Sequence, residues 1–235
     1  MIDIHCHALY GVDDGASSME ESMEMVSQAK SQGIEAIILT PHYRHGMFEY
    51  PAEQIREHFK NLKRQTESMG VELFLGCEYH VNSRIIEALR TGRCSSLAGG
   101  DFVLTEYSYG TEYTYIYEQT KRLLSYGYIP VVAHVERYAC FLKKPKLCQE
   151  LSNTGAYIQV NADSILGMDS KAGERFCRKI LKNQWADIVA SDAHGKETRA
   201  CHLGKCMEYV AKKYGEAYAE LLFYENPGKI IEDGE

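Results

Sequence analysis

Short runs of apolar, largely β-branched residues alternate with amphipathic stretches along this chain. The runs predict strands at Ile2–His5, Ala36–Thr40, Glu72–Gly76, Phe102–Thr105, Pro130–Ala133, Tyr157–Val160 and Ile188–Ser191. The segments between and after them predict helices at Ser18–Gln32, Ala52–Met69, Ser83–Arg90, Glu112–Tyr126, Lys146–Asn153, Ala172–Lys182 and Arg199–Tyr214. Ser17 or Ser18, followed by Glu20 and Glu21, places a capping hydroxyl and acidic groups where a helix N-terminus favours them. Gly33, Gly70, Gly127 and Gly155 stand just past four of the helices, where a left-handed residue ends a helix cheaply.

Strand–helix units of roughly 30 residues, with no change of composition between them, predict one parallel α/β domain over residues 1–235. Pattern alone leaves an open doubly wound sheet and a closed barrel both available. The polar residues favour the barrel. They follow the C-terminal ends of several strands, and in a barrel those ends share one rim.

At 235 residues and 45% hydrophobic composition the chain can fill one sizeable core. No apolar run approaches the ~20 residues of a membrane span. Strand-like sequence begins at Met1-Ile2-Asp3-Ile4, so no signal or transit peptide is expected and the protein is expected to be cytoplasmic. A net charge of -7 argues against a broad nucleic-acid footprint, though not against a local phosphate pocket. The eight cysteines form no CxxC pair; Cys6, Cys77, Cys177 and Cys206 read as small buried hydrophobes.

The candidate chemistry lies at the strand ends. In extended chain, residues i and i+2 share a face, so His5 and His7 aim at one spot, as do Asp192 and His194. Other strand ends carry Asp13 and Asp14, His42, Glu78, Glu106, His134 with Glu136 and Arg137, and Asn161. Any one of these could be an ordinary polar loop residue. Five of the nine histidines standing directly after apolar strands is the pattern of metal chelation, and imidazole with carboxylate suits zinc, manganese or iron.

His5-Cys6-His7, Gly11-Val12-Asp13-Asp14-Gly15-Ala16, Thr40-Pro41-His42, Gly76-Cys77-Glu78, Ala133-His134-Val135-Glu136-Arg137-Tyr138 and Ser191-Asp192-Ala193-His194 occur in that order. The set resembles the PHP (polymerase and histidinol phosphatase) superfamily. More narrowly, it is similar to the metal-dependent protein-tyrosine phosphatases of capsule and exopolysaccharide operons. The resemblance covers essentially the whole chain. It implies a distorted (β/α)7 TIM-like barrel with up to three divalent ions, manganese being the usual activator and zinc or iron possible alternatives. By the same resemblance one ion would take His5, His7, Glu78 and Asp192. A second would share Glu78 and add Glu106 and His134, and a third would take Asp14, His42 and His194.

The function implied is hydrolysis of phosphotyrosine, by a metal-activated hydroxide, on a tail of a capsule-assembly tyrosine kinase. Arg137 is the expected phosphate clamp and Arg199 the second, although Arg199 also reads as a solvated residue in an early helical turn. His80 stands where relatives often carry Arg, and it and His45 are near the site or on its rim. His58 and His202 fall in predicted helices and are expected at the surface. Tyr107 and Tyr109 are candidates for an aromatic lip on the substrate ring, whereas Tyr113 and Tyr117, four apart, are expected to pack their helix on the barrel. No cysteine precedes an arginine by six residues, which disfavours thiolate chemistry. Alternatives are a small-molecule phosphatase acting on a histidinol phosphate-like substrate, a phosphodiesterase, or a metal-holding module without catalysis.

Overall fold

The computed structural model describes residues 1–234. Its strands are β1 (Ile2–Cys6), β2 (Ala36–Leu39), β3 (His42–Tyr43), β4 (Glu72–Leu75), β5 (Glu78–His80), β6 (Phe102–Glu106), β7 (Ile129–Val132), β8 (Tyr157–Asn161) and β9 (Ile188–Ala190). They pair in parallel in two runs, β1-β2-β4 and β3-β5-β6-β7-β8-β9.

The two runs are parts of one ring. Pro41 has no N–H to donate, so the ladder of β2 stops before it and resumes as β3 at His42. The neighbouring stave breaks at Gly76-Cys77, between β4 and β5. Bonds from the Gly76 amide to the Leu39 carbonyl and from the Glu78 amide to the Pro41 carbonyl carry the pairing through both interruptions. At the other seam the Asp192 amide donates to the His5 carbonyl and the His7 amide to the Ala193 carbonyl, each at 2.8 Å. Asp3, fully buried in β1, strengthens that seam by accepting from the amide (3.0 Å) and hydroxyl (2.6 Å) of Ser191. The result is a distorted barrel of seven staves, as expected, with its distortion at the breaks and at the β1–β9 seam.

Alternation along the strands divides the apolar residues between two sides. Ile4, Ile38, Leu104, Val131 and Ile188 form an inner cluster together with Phe102, Ala133 and Ala190. Ile37, Leu39, Val103, Val132 and Val189 belong to the larger outer cluster, where the helices pack. Ile230, on the C-terminal helix Asn226–Glu232, enters the inner cluster beside Phe102 and Ile2. That helix therefore stoppers the ring at the N-terminal ends of its strands and leaves the opposite mouth for chemistry.

The predicted helices form with shifts of at most four residues at their ends, and Ser18 is a true cap, its hydroxyl accepting from the Glu21 amide. Gly33, Gly70, Gly127 and Gly155 all have positive φ. Beyond the expectations are the two- and three-residue strands β3 and β5, too short for periodicity to reveal. So are the helices Ala139–Lys143 and Ala162–Leu166 and the helical segments from Glu216 to Glu232. The last long helix of the sequence reading starts at Leu203, not Arg199; Arg199 itself is a loop residue with φ 52°. His202 likewise precedes that helix, with Nδ1 at 2.8 Å from Asp163 Oδ1. His58 does lie in a helix, but it is half-buried and stacks on Tyr10 at 4.3 Å. All four cysteines read as core residues are buried.

If the C-terminal helix seals the ring, truncating its inward side chain should leave a hole in the inner cluster. Ile230→Ala should cost on the order of 3 kcal/mol. Urea unfolding that shows a midpoint equal to that of the parent would contradict this placement.

Candidate metal centre

The open mouth gathers its polar groups from six staves. His5 and His7 leave the end of β1, His42 begins β3, Glu78 begins β5 and Glu106 ends β6. His134 follows β7, and Asp192 and His194 follow β9. His134 and Asp192 stand at φ 33° and 53°, a left-handed backbone that costs a non-glycine residue about 1 kcal/mol or more. Ring closure and pairing hold them there, and the bend turns each side chain into the mouth.

His5, His7, Glu78 and Asp192, all buried, form a tetrad. Between their ligand atoms the Nε2–Nε2 separation is 3.1 Å, Glu78 Oε2 lies 3.1 and 3.3 Å from the two imidazoles, and Asp192 Oδ1 lies 3.4 and 3.5 Å from them. Atoms at the corners of a tetrahedron with such edges stand about 2 Å from its centre, the length of a bond from nitrogen or oxygen to zinc. A second group brings Asp14 Oδ1 to 3.5 Å from both His42 Nε2 and His194 Nε2, with His7 beside them. Glu106 joins Glu78 and His42 in a third, and His134 Nε2 sits 2.8 Å from Glu78 Oε1. The nine residues expected as ligands thus converge on one spot.

Unpartnered atoms test whether a cation belongs there. Glu78 Oε2, His42 Nδ1, Glu106 Oε2 and His194 Nε2 are buried and have no hydrogen-bond partner among the described residues. Glu78 Oε2 has three imidazole nitrogens within 3.3 Å, yet none is aligned to donate to it. Lone pairs aimed at a common point rather than at each other are what metal ligation requires. The electrostatics agree. Burial alone would raise the Glu78 pKa and lower those of His5 and His7. Opposite charge overrides burial, holding Glu78 well below the carboxylate range, raising His5 beside Glu78 and Asp192, and lifting His7 to about 10 beside Asp13. Glu106 is pushed up to about 7 by burial and by Glu78, which outweigh the opposing charges of Arg44 and His5. The acidic groups here demand positive charge at their centre, and divalent ions fit the donor set.

A layer behind the ligands fixes their orientation. Asp13 accepts from His7 Nδ1 (2.8 Å), from the His42 amide (3.0 Å) and from the Gly15 amide (2.9 Å), leaving His7 Nε2 free to ligate. Gly15 is required there because a Cβ would stand within van der Waals radius of the His7 carbonyl. From β8, Gln159 Oε1 takes His5 Nδ1 (3.1 Å) and the His134 amide (3.0 Å). Gln159 then donates to Asn161, whose Nδ2 reaches Asp192 Oδ2, both at 2.8 Å. Gln159 was missing from the sequence reading. The Gln-Val-Asn spacing that ends β8, two amides on one face, was the available signal.

Above the ligands lies a cleft of about 260 Å³ lined by Arg44, Met47, Phe48, Arg137 and Arg199 among others. Arg137 Nη1 binds Asp192 Oδ2 at 2.8 Å, and Arg199 reaches Asp192 at 3.4 Å and Asp14 at 3.6 Å. Both expected arginines are therefore in the cleft, Arg199 included. The aromatic lip is not where it was expected. Tyr107 is buried, its amide donating to the Tyr138 hydroxyl, so it cannot form a lip. Tyr109 is 67% exposed but does not line the cleft. Neither does His80, which stands 3.2 Å from Ser108 Oγ. His45 is an exposed rim residue paired with Glu49. Tyr113 packs edge-on against Phe141, while Tyr117 is 39% exposed.

The family model for capsular polysaccharide synthesis, CpsB/CapC, matches residues 1–232. The chain belongs to the CpsB/CapC family. Among relatives of this CpsB/CapC chain, the tyrosine-protein phosphatase CpsB of Streptococcus pneumoniae is 34% identical over 99% of both chains. The tyrosine-protein phosphatase YwqE of Bacillus subtilis is 31% identical over 94% of this chain and 88% of its own. A crystal structure from work on YwqE and S. pneumoniae CpsB, described as unique metal-dependent tyrosine phosphatases, superposes with a TM-score of 0.93. It is 30% identical and covers 100% of this chain and 96% of that one. Histidinol phosphate phosphatase of Lactococcus lactis shares the fold at a TM-score of 0.61 and 17% identity, over 91% and 93% of the two chains.

The supporting layer carries its own consequence. Asp13→Asn and Gln159→Ala should each weaken metal binding by about 10- to 100-fold, while the fold is retained. Equilibrium dialysis with metal analysis measures this, and parental affinity in both variants would show that the layer does not orient the ligands.

Proposed function

We propose that this CpsB/CapC protein is a manganese-dependent protein-tyrosine phosphatase acting on the phosphorylated tail of a tyrosine kinase of capsule or exopolysaccharide assembly. The observation that carries the reading is a buried, cation-demanding ligand cluster opening directly onto a cleft that holds Arg137 and Arg199. A site that only stored metal would have no use for a pair of anion clamps. Divalent ions bound by the nine ligands would supply Lewis-acid charge to a phosphoryl group and an acidified water as nucleophile.

The rest falls to the protein. His5, His7, Glu78 and Asp192, fixed from behind by Asp13, Gln159 and Asn161, hold the charge centre rigid. Arg137 spends one N–H on Asp192 and keeps others for phosphoryl oxygens; Arg199 approaches the same carboxylate from the loop that follows β9. A phenolate leaving group, with a pKa near 10, departs with less help from a proton donor than an alkoxide needs. No helix among the described residues is long and apolar enough to cross a membrane. We place the reaction in the cytoplasm, where kinase and ATP meet.

A substrate panel with manganese tests this. Phosphotyrosine peptides should be hydrolysed with higher kcat/KM than histidinol phosphate, with oligonucleotides inert; the reverse order would transfer the protein to the small-molecule phosphatases. Chelation should abolish turnover, and His7→Ala should lose both activity and bound metal. Arg137→Ala should retain metal yet lose on the order of 100-fold in kcat/KM. Full activity in that variant would remove Arg137 from the clamp.

A further inference from the structure

Residues 44–48 make a tight hairpin on the rim of the cleft. The Arg44 amide donates to the Phe48 carbonyl and the Phe48 amide to the Arg44 carbonyl, both at 2.9 Å. Gly46 turns the chain at φ 76°, and Glu49 ties the turn by accepting from the Gly46 amide and from His45 Nδ1. Three of its side chains, Arg44, Met47 and Phe48, line the cleft together with the ligands.

Arg137 and Arg199 are both drawn onto Asp192. Arg44, half-buried, hydrogen-bonds through its backbone to Phe48, and its guanidinium faces Glu106 across the cleft, acting on that carboxyl through its charge. A guanidinium held in the cleft without a bidentate partner keeps its fork of donors for an added anion. The three arginines come from well-separated staves, after β3, β7 and β9, so they face the ligand cluster from different sides. Phe48 stacks on the ligand His42 with ring centroids 5.4 Å apart and planes 11° from parallel, and Met47 beside it is 60% exposed. An exposed methionine next to an aromatic ring, at the mouth of an otherwise charged site, is an apolar wall without a partner. Methionine sulfur and aromatic faces both pack well on an aryl ring.

We propose that the Arg44–Phe48 hairpin reads the substrate: Met47 and Phe48 cover the aromatic ring of the phosphoester while Arg44 grips its phosphoryl oxygens opposite Arg137. The inference rests on the phosphotyrosine reading above and assigns to this hairpin the aromatic recognition that Tyr107 cannot supply. It makes the hairpin the source of preference for aryl over alkyl phosphates, and the arginine a clamp indifferent to the leaving group.

Binding of phenylphosphonate and methylphosphonate to the manganese-loaded protein, measured by calorimetry, separates the two roles without requiring turnover. The parent should bind phenylphosphonate roughly 10-fold tighter than methylphosphonate. Met47→Ala, a change at an exposed position, should shrink that ratio by roughly 5-fold and leave methylphosphonate affinity as it was. Arg44→Ala should weaken both ligands about equally, on the order of 10-fold or more, with Arg44→Lys recovering part of the loss. Metal content, determined on the same samples, should match the parent in all three variants. An unchanged phenyl preference in Met47→Ala overturns the wall, and unchanged affinities in Arg44→Ala overturn the clamp. Failure of the parent to bind either phosphonate would instead overturn the phosphatase reading itself.

Discussion

Two imidazoles and two carboxylates with ligand atoms 3.1–3.5 Å apart, excluded from water, favour positive charge between them. Everything else at the mouth of the barrel serves that constraint. The left-handed turns at His134 and Asp192 bring ligands in, and the Asp13 and Gln159 bonds set ring orientation. Divalent ions held by these groups would offset the cost of gathering acidic side chains in a dry place.

A barrel is well suited to the arrangement because its strands end together. The interruptions of the ring lie next to the site rather than far from it. Pro41 and Gly76-Cys77 break two adjacent staves immediately before His42 and Glu78, and the β1–β9 seam carries His5, His7 and Asp192. Departures from regular pairing free side chains from strict alternation. That freedom lets consecutive staves turn their ends to one point, while the C-terminal helix keeps the opposite end closed and apolar.

The distribution of labour around the cleft also follows from position. The candidate ligands sit at the strand ends, where pairing holds the backbone. The groups that would meet substrate, Arg137, Arg199 and the hairpin with Arg44, Met47 and Phe48, sit in the loops just beyond. Rigid groups set the charge centre, and the loops above it set what may approach.

The strands, the helices and their glycine ends were legible in the chain itself, because each depends on local spacing, period two or period 3.6; the nine candidate ligands were picked out by the order of motifs that resembles the PHP superfamily, and the fold brings them together. His5-Cys6-His7 needs no tertiary information to be read as two imidazoles on one face. Which groups meet across the barrel is a different kind of fact. Tyr107 looked like a lip in sequence and is buried, because it packs edge-on between Tyr115 and Tyr138. Arg199 looked helical and instead adopts a left-handed turn that carries it to Asp192. Gln159 resembled any strand glutamine until β8 set it behind His5 and His134. Those outcomes arise from contacts between residues distant along the chain, and only closure of the ring brings such residues within reach of one another.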